Sequence, residues 1–111
     1  MARTEIPRPI RSALSELKEA LVKIYDDRLR GVYLYGSYAR GDYREDSDVD
    51  VLIVLRGPVV LSREIERYNQ AVADICLRYD LLISTMPVAE ETFLTGSPTF
   101  FDPVHREAVR L

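Results

Sequence analysis

The chain has little cysteine and no long apolar run, and both absences narrow its class. Cys76 is the only cysteine among 111 residues, so neither an internal disulfide nor a cysteine-based zinc site can form. No stretch reaches the roughly 20 apolar residues that a membrane-spanning helix needs, and residues 1–20 lack the apolar core of a signal peptide. We therefore expect a cytoplasmic protein with no membrane association.

Basic residues do not outnumber acidic ones in this chain. The chain has 15 Lys and Arg against 18 Asp and Glu, and its formal net charge is −3. No general positive field attracts DNA or RNA, so a nucleic acid partner is disfavoured. The length suits one domain over residues 1–111, since a chain of this size buries roughly 65% of its surface on folding.

Apolar periodicity predicts the order of the helices and strands. Spacings of three and four from Ile10 to Ile24 indicate an amphipathic helix, and β-branched runs on either side of a polar segment indicate strands. The predicted elements are a helix over 9–27, a strand over 31–35, a short helix over 38–41, a strand over 48–55, a helix over 62–78, a strand over 79–85 and a helix over 86–94. This order predicts a mixed layer of strands with helices packed against it. No secondary structure is predicted after residue 96.

The segment between the first two strands carries the candidate chemistry. Residues 36–50 read GSYARGDYREDSDVD. Alternate side chains of a strand share a face, so the carboxylates of Asp48 and Asp50 project the same way. At about 6.6 Å, two unit charges repel by roughly 2.5 kcal/mol at an effective dielectric near 20. A hard divalent cation relieves this repulsion, and Mg²⁺ is the usual choice where phosphates complete its shell.

Three predicted strands each offer a group to a common site. Gly36 allows a phosphate to approach the backbone, and the Ser37 hydroxyl can donate a hydrogen bond to it. Arg40 can neutralise charge on a triphosphate. Asp80, near the start of the third strand, can hold the metal ion that lowers the pKa of an attacking hydroxyl, beside the aspartate pair of the second strand. Together these groups suit nucleotidyl transfer.

These residues resemble the signature of a known family. Gly36-Ser37, Arg40-Gly41, Ser47-Asp48 and Asp50 are similar to the G-S-x-x-R-G…S-D-x-D pattern of the DNA polymerase beta-like nucleotidyltransferase superfamily, and specifically of its minimal nucleotidyltransferase (MNT) members. Asp80 matches the third carboxylate of that family, and the tail SPTFFDPVHREAVRL is similar to the way MNT proteins end.

The resemblance implies a fold, a reaction and a set of site residues. The fold is α+β, a short mixed sheet flanked by helices. The implied catalytic and metal-binding residues are Asp48, Asp50 and Asp80, and the implied nucleotide-binding residues are Gly36, Ser37, Arg40 and Ser47. Two Mg²⁺ ions and an NTP, with ATP as the expected donor, take part in transfer of a nucleoside monophosphate to a hydroxyl with release of pyrophosphate.

The resemblance also implies a partner. MNT proteins act as antitoxins beside a HEPN-domain toxin, a small helical ribonuclease, and silence it by adding AMP to a tyrosine. Larger family members carry a helical domain that holds the acceptor, and a chain of 111 residues has no room for one, so we expect the acceptor to come from outside. Two alternatives stay open: a non-catalytic subunit that blocks the toxin by binding, and a homo-oligomer that modifies a small molecule or an RNA end.

Overall fold

The fold is a four-stranded mixed sheet with helices on both faces. A computed structural model describes residues 6–96 and 98–111, with the backbone alone for residues 98–102. In chain order the elements are α1 (Arg8–Tyr25), a 3₁₀ turn (Asp26–Arg28), β1 (Leu29–Tyr35), α2 (Ser37–Arg40), β2 (Val49–Leu55), α3 (Leu61–Tyr79), β3 (Ile83–Ala89), α4 (Glu90–Thr95), α5 (Pro98–Glu107) and β4 (Val109–Arg110). Within these ranges, no helix combines the length and the apolar character that crossing a membrane requires.

The sheet has the strand order β3-β2-β1-β4. β1 pairs antiparallel with both β2 and β4, whereas β2 pairs parallel with β3. A parallel pair needs a long crossover, and α3 supplies it between β2 and β3. The predicted α+β class with a short mixed sheet is therefore confirmed.

β2 divides the core into two clusters because its side chains alternate between the faces of the sheet. Four of its residues pack toward α1 and α3, where the apolar stripe of α1 is buried against them: Val49, Val51, Ile53 and Leu55. Leu52 and Val54 point the other way, toward Phe93 of α4 and Val104 of α5. Asp50 has the same parity as Leu52 and Val54, so it projects from this second face, nearer the start of the strand.

A buried carboxylate ties α3 to the segment that joins α1 and β1. Glu64 is 2% exposed, and its Oε1 accepts a hydrogen bond from the Tyr25 hydroxyl at 2.9 Å. Both of its oxygens also accept from the Arg28 guanidinium, at 3.2 and 3.1 Å. The same guanidinium donates to the carbonyls of Arg56 and Pro58, at 2.9 and 2.6 Å. Arg28 thus joins the loop after β2 to the buried end of α3.

The third strand lies further along the chain than the sequence predicts. α3 continues through Tyr79, and Asp80 caps it in the left-handed region, with φ 51° and ψ 55°. The strand itself runs over Ile83–Ala89 and contains Pro87, which was predicted to begin a helix. β3 lies at an edge of the sheet, where a residue without an N–H is tolerated. The predictions of a strand over 79–85 and a helix from residue 86 are therefore wrong.

Candidate functional site

A one-turn helix follows directly on β1 and is bracketed by two glycines. Gly36 has φ 76° and ψ −154°, a conformation that essentially only glycine adopts. Its carbonyl accepts hydrogen bonds from the N–H groups of Ala39 and Arg40, at 3.1 and 3.0 Å. Gly41 ends the helix in the left-handed region, and its N–H donates to the Ser37 carbonyl at 2.8 Å. The chain therefore turns sharply at Gly36, and the first N–H groups of α2 have no partner within the helix.

Asp50 lies directly against this turn. It pairs with Tyr35 of β1 on one side and with Ser84 of β3 on the other. A Cβ added to Gly36 would lie 2.2 Å from the Asp50 Oδ2, far closer than two such atoms can approach. Only a residue without a side chain leaves room for the carboxylate. Gly36 and Asp50 thus form a small cradle where β1 ends and β2 begins.

The charges of the two aspartates influence each other. Burial raises the pKa of Asp50 above its ordinary value, the charge of Asp48 raises it further, and the charge of Arg40 lowers it. The pKa of the adjacent Tyr35 hydroxyl is raised as well, first by burial and then by the charge of Asp50. The ionised form of Asp50 is therefore poorly compensated by the protein, and a bound cation would stabilise it.

The aspartate pair fits a magnesium ion. Mg²⁺ is commonly held by one or two carboxylates together with phosphate oxygens, and Asp48 and Asp50 supply that number beside the open backbone of Gly36. Over residues 6–96 and 98–111, no group of three or more His, Cys, Asp or Glu side chains is placed to hold a metal ion. The three-carboxylate cluster that the sequence predicts is thus not formed in the described part of the chain.

Asp80 is the predicted site residue that lies at the end of a helix. It is exposed at the C-terminal end of α3 and precedes the first residue of β3. The residue of β3 that pairs with Asp50 is Ser84. Asp80 lines a cavity of about 230 Å³ together with Tyr38 of α2 and Ser47. The prediction that Asp80 opens the third strand is wrong, because α3 and its cap occupy that part of the sequence. Its role as a metal ligand stays a prediction.

Arg40 ends α2 with its guanidinium between two carboxylates. Its Nε donates to Asp42 Oδ2 at 3.1 Å, and its Nη1 donates to Glu107 Oε2 at 3.3 Å. These hydrogen bonds, that of Asp42 first, raise the pKa of Arg40. Its charge also lowers the pKa of Asp50, and Arg40 lies on the one-turn helix that follows Gly36, the residue packed against Asp50. This position agrees with the expected contact to a triphosphate, and that contact stays a prediction.

The two predicted serines occupy different places. Ser37 is half-buried at the first position of α2, on the turn that faces Asp50. Ser47 closes a separate turn: its Oγ accepts a hydrogen bond from the Arg44 N–H at 2.7 Å, and its own N–H donates to the Arg44 carbonyl at 3.0 Å. Ser47 therefore shapes the loop that leads to Asp48, and its predicted contact with nucleotide stays a prediction.

Sequence reasoning missed two residues that flank Asp50 and one that contacts Arg40. Tyr35 and Ser84 flank Asp50 through strand pairing, which sequence periodicity does not specify. Glu107 reaches Arg40 from α5, in a part of the chain for which no structure was predicted. The one available signal was the similarity of the REAVRL tail to the end of MNT proteins.

Known proteins share the sequence pattern of this chain. The nucleotidyltransferase domain family matches residues 14–97. A protein of Methanocaldococcus jannaschii, named as a candidate protein adenylyltransferase, is 38% identical over 98 residues, which cover 88% of this chain and 94% of that protein. The protein adenylyltransferase MntA of Thermococcus cleftensis is 37% identical over 76 residues, covering 68% of this chain and 75% of that protein.

A solved structure shares the fold. A chain in the crystal structure of a toxin-antitoxin with AMP-PNP superposes with a TM-score of 0.55, over 84% of this chain and 70% of that one. Its sequence identity to this chain is 16%, so this similarity shows the fold alone.

Proposed function

The chain belongs to the nucleotidyltransferase domain family and is an enzyme of that class, and we propose that it transfers AMP from ATP to a hydroxyl group of a partner protein. The observation that carries the proposal is the Asp50 carboxylate packed against Gly36, with the charge of Asp48 beside it. Two relatives that carry the name of protein adenylyltransferase support a protein as the acceptor. We propose that the protein acts in the cytoplasm, since the proposed donor is ATP.

The residues of the turn that begins at Gly36 are proposed to bind the triphosphate. The backbone at Gly36 lets a phosphate come close, and the Ser37 hydroxyl and the first N–H groups of α2 donate hydrogen bonds to its oxygens. Arg40 binds the negative triphosphate. The acceptor hydroxyl loses its proton to solvent as its oxygen bonds to the α-phosphorus, the bond from that phosphorus to the β-phosphate oxygen breaks, and pyrophosphate leaves.

Asp48 and Asp50 are the proposed ligands of Mg²⁺, with two ions as the resemblance implies and with triphosphate oxygens as the remaining ligands. When bound, Mg²⁺ neutralises charge on the phosphates and lowers the pKa of the attacking hydroxyl. Asp80 is the third ligand that the resemblance implies, but it caps α3 and forms no three-carboxylate group with the pair among residues 6–96 and 98–111, so the pair alone is proposed.

The proposed partner is a HEPN-domain ribonuclease toxin, for which this protein would act as the antitoxin. The support is the sequence resemblance to MNT antitoxins together with a structural neighbour that comes from a toxin-antitoxin crystal. In this role the acceptor is a tyrosine hydroxyl of the toxin, and its modification silences the ribonuclease.

The experiment is a label-transfer assay. The protein is incubated with Mg²⁺, ATP labelled on its α-phosphate and the product of the adjacent gene, and the wild-type protein should label that product. Asp48→Asn and Asp50→Asn should each abolish labelling, since each removes a negative charge from the metal site. Asp74→Asn is the matched control, because Asp74 is an exposed residue of α3 outside the turn. Persistent labelling in both site variants would reject the assignment.

A second candidate function is neutralisation of the toxin by binding alone. The observation that favours it is that no group of three carboxylates is placed to hold a metal ion among residues 6–96 and 98–111. If this candidate is right, the Asp48→Asn and Asp50→Asn variants still rescue cells from the toxin. Lost rescue with an intact complex would instead establish that the chemistry is required.

A further inference from the structure

The guanidinium of Arg40 is oriented by a residue from the far end of the chain. Arg40 ends a helix of only four residues, and its side chain is 43% exposed, so its local sequence does little to fix its position. Two carboxylates restrain it: Asp42, close in sequence, and Glu107, contributed by α5. Glu107 is the restraint that depends on the tertiary fold.

Backbone pairing holds Glu107 in place. α5 ends at Glu107, and β4 follows after one residue and pairs with β1. The N–H of Leu111 continues this contact by donating to the Val32 carbonyl at 2.8 Å. β1 is also the strand that leads into Gly36 and α2. Glu107 is therefore anchored to the same strand that positions the turn, which keeps its distance to Arg40 well defined.

Among the residues that the structure describes, the two restraints leave part of the guanidinium free for a ligand. Nε is engaged by Asp42 and Nη1 by Glu107, at 3.1 and 3.3 Å. None of the described residues accepts a hydrogen bond from the remaining terminal nitrogen, Nη2. A guanidinium carries five N–H donors in a rigid plane, so fixing two of them also aims the others. Arg40 ends the four-residue helix that follows Gly36, and Gly36 is packed against Asp50.

We propose that Glu107 is a positioning residue that holds Arg40 in the orientation in which it binds the phosphates of the nucleotide. The inference rests on the proposed function, because it takes the turn beside Asp50 to be the nucleotide site. Glu107 itself does not touch the nucleotide. Its effect comes from ordering a long, partly exposed side chain before the ligand arrives, so that less conformational freedom is lost on binding.

The test is the affinity of the full chain for a non-hydrolysable ATP analogue in the presence of Mg²⁺, measured by calorimetry. Glu107→Gln should raise Kd about threefold, the size expected when one partly exposed ion pair is lost. Glu107→Asp keeps the charge and should retain more affinity than Glu107→Gln. Glu91→Gln makes the same change of net charge on the exposed surface of α4 and should bind as the wild type does.

A double-mutant cycle separates positioning from a general structural effect. In an Arg40→Ala background, Glu107→Gln should produce no further loss, because its target is gone. A loss that persists in that background would overturn the proposal, as would wild-type or tighter binding by Glu107→Gln, which would mean that Glu107 competes with phosphate. If the wild-type chain binds no nucleotide at all, the proposed function itself fails, and this outcome is distinct from the others.

Discussion

Replacing Gly36 by alanine should damage the site far more than it damages the fold. The new Cβ would lie 2.2 Å from the Asp50 Oδ2, so the carboxylate must move by about 1 Å to reach an ordinary contact distance. A misplacement of about 1 Å can cost about 100-fold in catalysis, and we expect a loss of this order in label transfer. The backbone strain at φ 76° adds a loss of about 1–3 kcal/mol in the free energy of unfolding.

Gly57→Ala is the matched control for this substitution. Gly57 also has a positive φ, 81°, but a Cβ there would meet no atom within 4 Å. Its replacement should cost about 1–2 kcal/mol in stability from backbone strain alone and should leave transfer within about twofold of wild type. Urea unfolding gives the stability of both variants, and label transfer and nucleotide affinity are measured at a temperature where both are folded.

The comparison can refute the account of the site in two ways. If Gly36→Ala retains wild-type affinity for ATP and Mg²⁺, the carboxylate of Asp50 does not act from the position described here. If Gly57→Ala loses transfer as severely as Gly36→Ala, the loss follows from backbone strain and not from contact with Asp50.

Substitutions at three further positions test separate parts of the structure. Glu64→Ala should cost about 2–4 kcal/mol in urea unfolding, because Arg28 loses a buried partner; a loss below about 0.5 kcal/mol would contradict this. Burial raises the pKa of Glu64, but the hydrogen bonds from Arg28 and Tyr25 outweigh burial and hold this pKa below 4.5. The stability of the wild-type protein should therefore fall as the pH drops below 4.5, and Glu64→Gln should lose this part of the pH dependence. Asp50→Asn should stabilise the fold at pH 7, because the raised pKa of Asp50 shows that its charged form is costly in the folded state. This gain in stability should vanish toward pH 3.8 and below. A variant less stable than the wild type at pH 7 would contradict the burial of this charge. Asp80→Asn should leave Mg²⁺-dependent nucleotide affinity within about twofold of wild type, and a loss as large as that of Asp50→Asn would restore Asp80 to the ligand set.

The elements that sequence predicted well are those with strong apolar periodicity. The stripe from Ile10 to Leu21 is buried in α1, and the observed helix differs from the predicted one by only one or two residues at each end. β2 was predicted over residues 48–55, and the observed strand begins one residue later and pairs with strands on both sides. In these segments the local pattern and the tertiary packing favour the same structure.

The parts that sequence could not predict depend on contacts between distant residues. β4 has two residues and no periodicity of its own, so its structure comes from pairing with β1. Glu107 meets Arg40 only because that pairing brings the end of the chain to the turn. The start of β3 was misplaced because the apolar residues around Leu81 resemble a strand, while the register that sets Ser84 opposite Asp50 is fixed by packing in the sheet.

The central claim is that Asp48 and Asp50 form, beside Gly36, a site where nucleotide binds together with Mg²⁺. Calorimetric titration of a non-hydrolysable ATP analogue, with and without Mg²⁺, tests this claim most directly on the wild-type protein and on a variant that carries both Asp48→Asn and Asp50→Asn. The account predicts binding to the wild-type protein that requires Mg²⁺, and at least about a tenfold loss of affinity in the double variant, which is a free-energy difference of about 1.4 kcal/mol. Equal affinity of the two proteins, or binding by the wild type that does not depend on Mg²⁺, would contradict it.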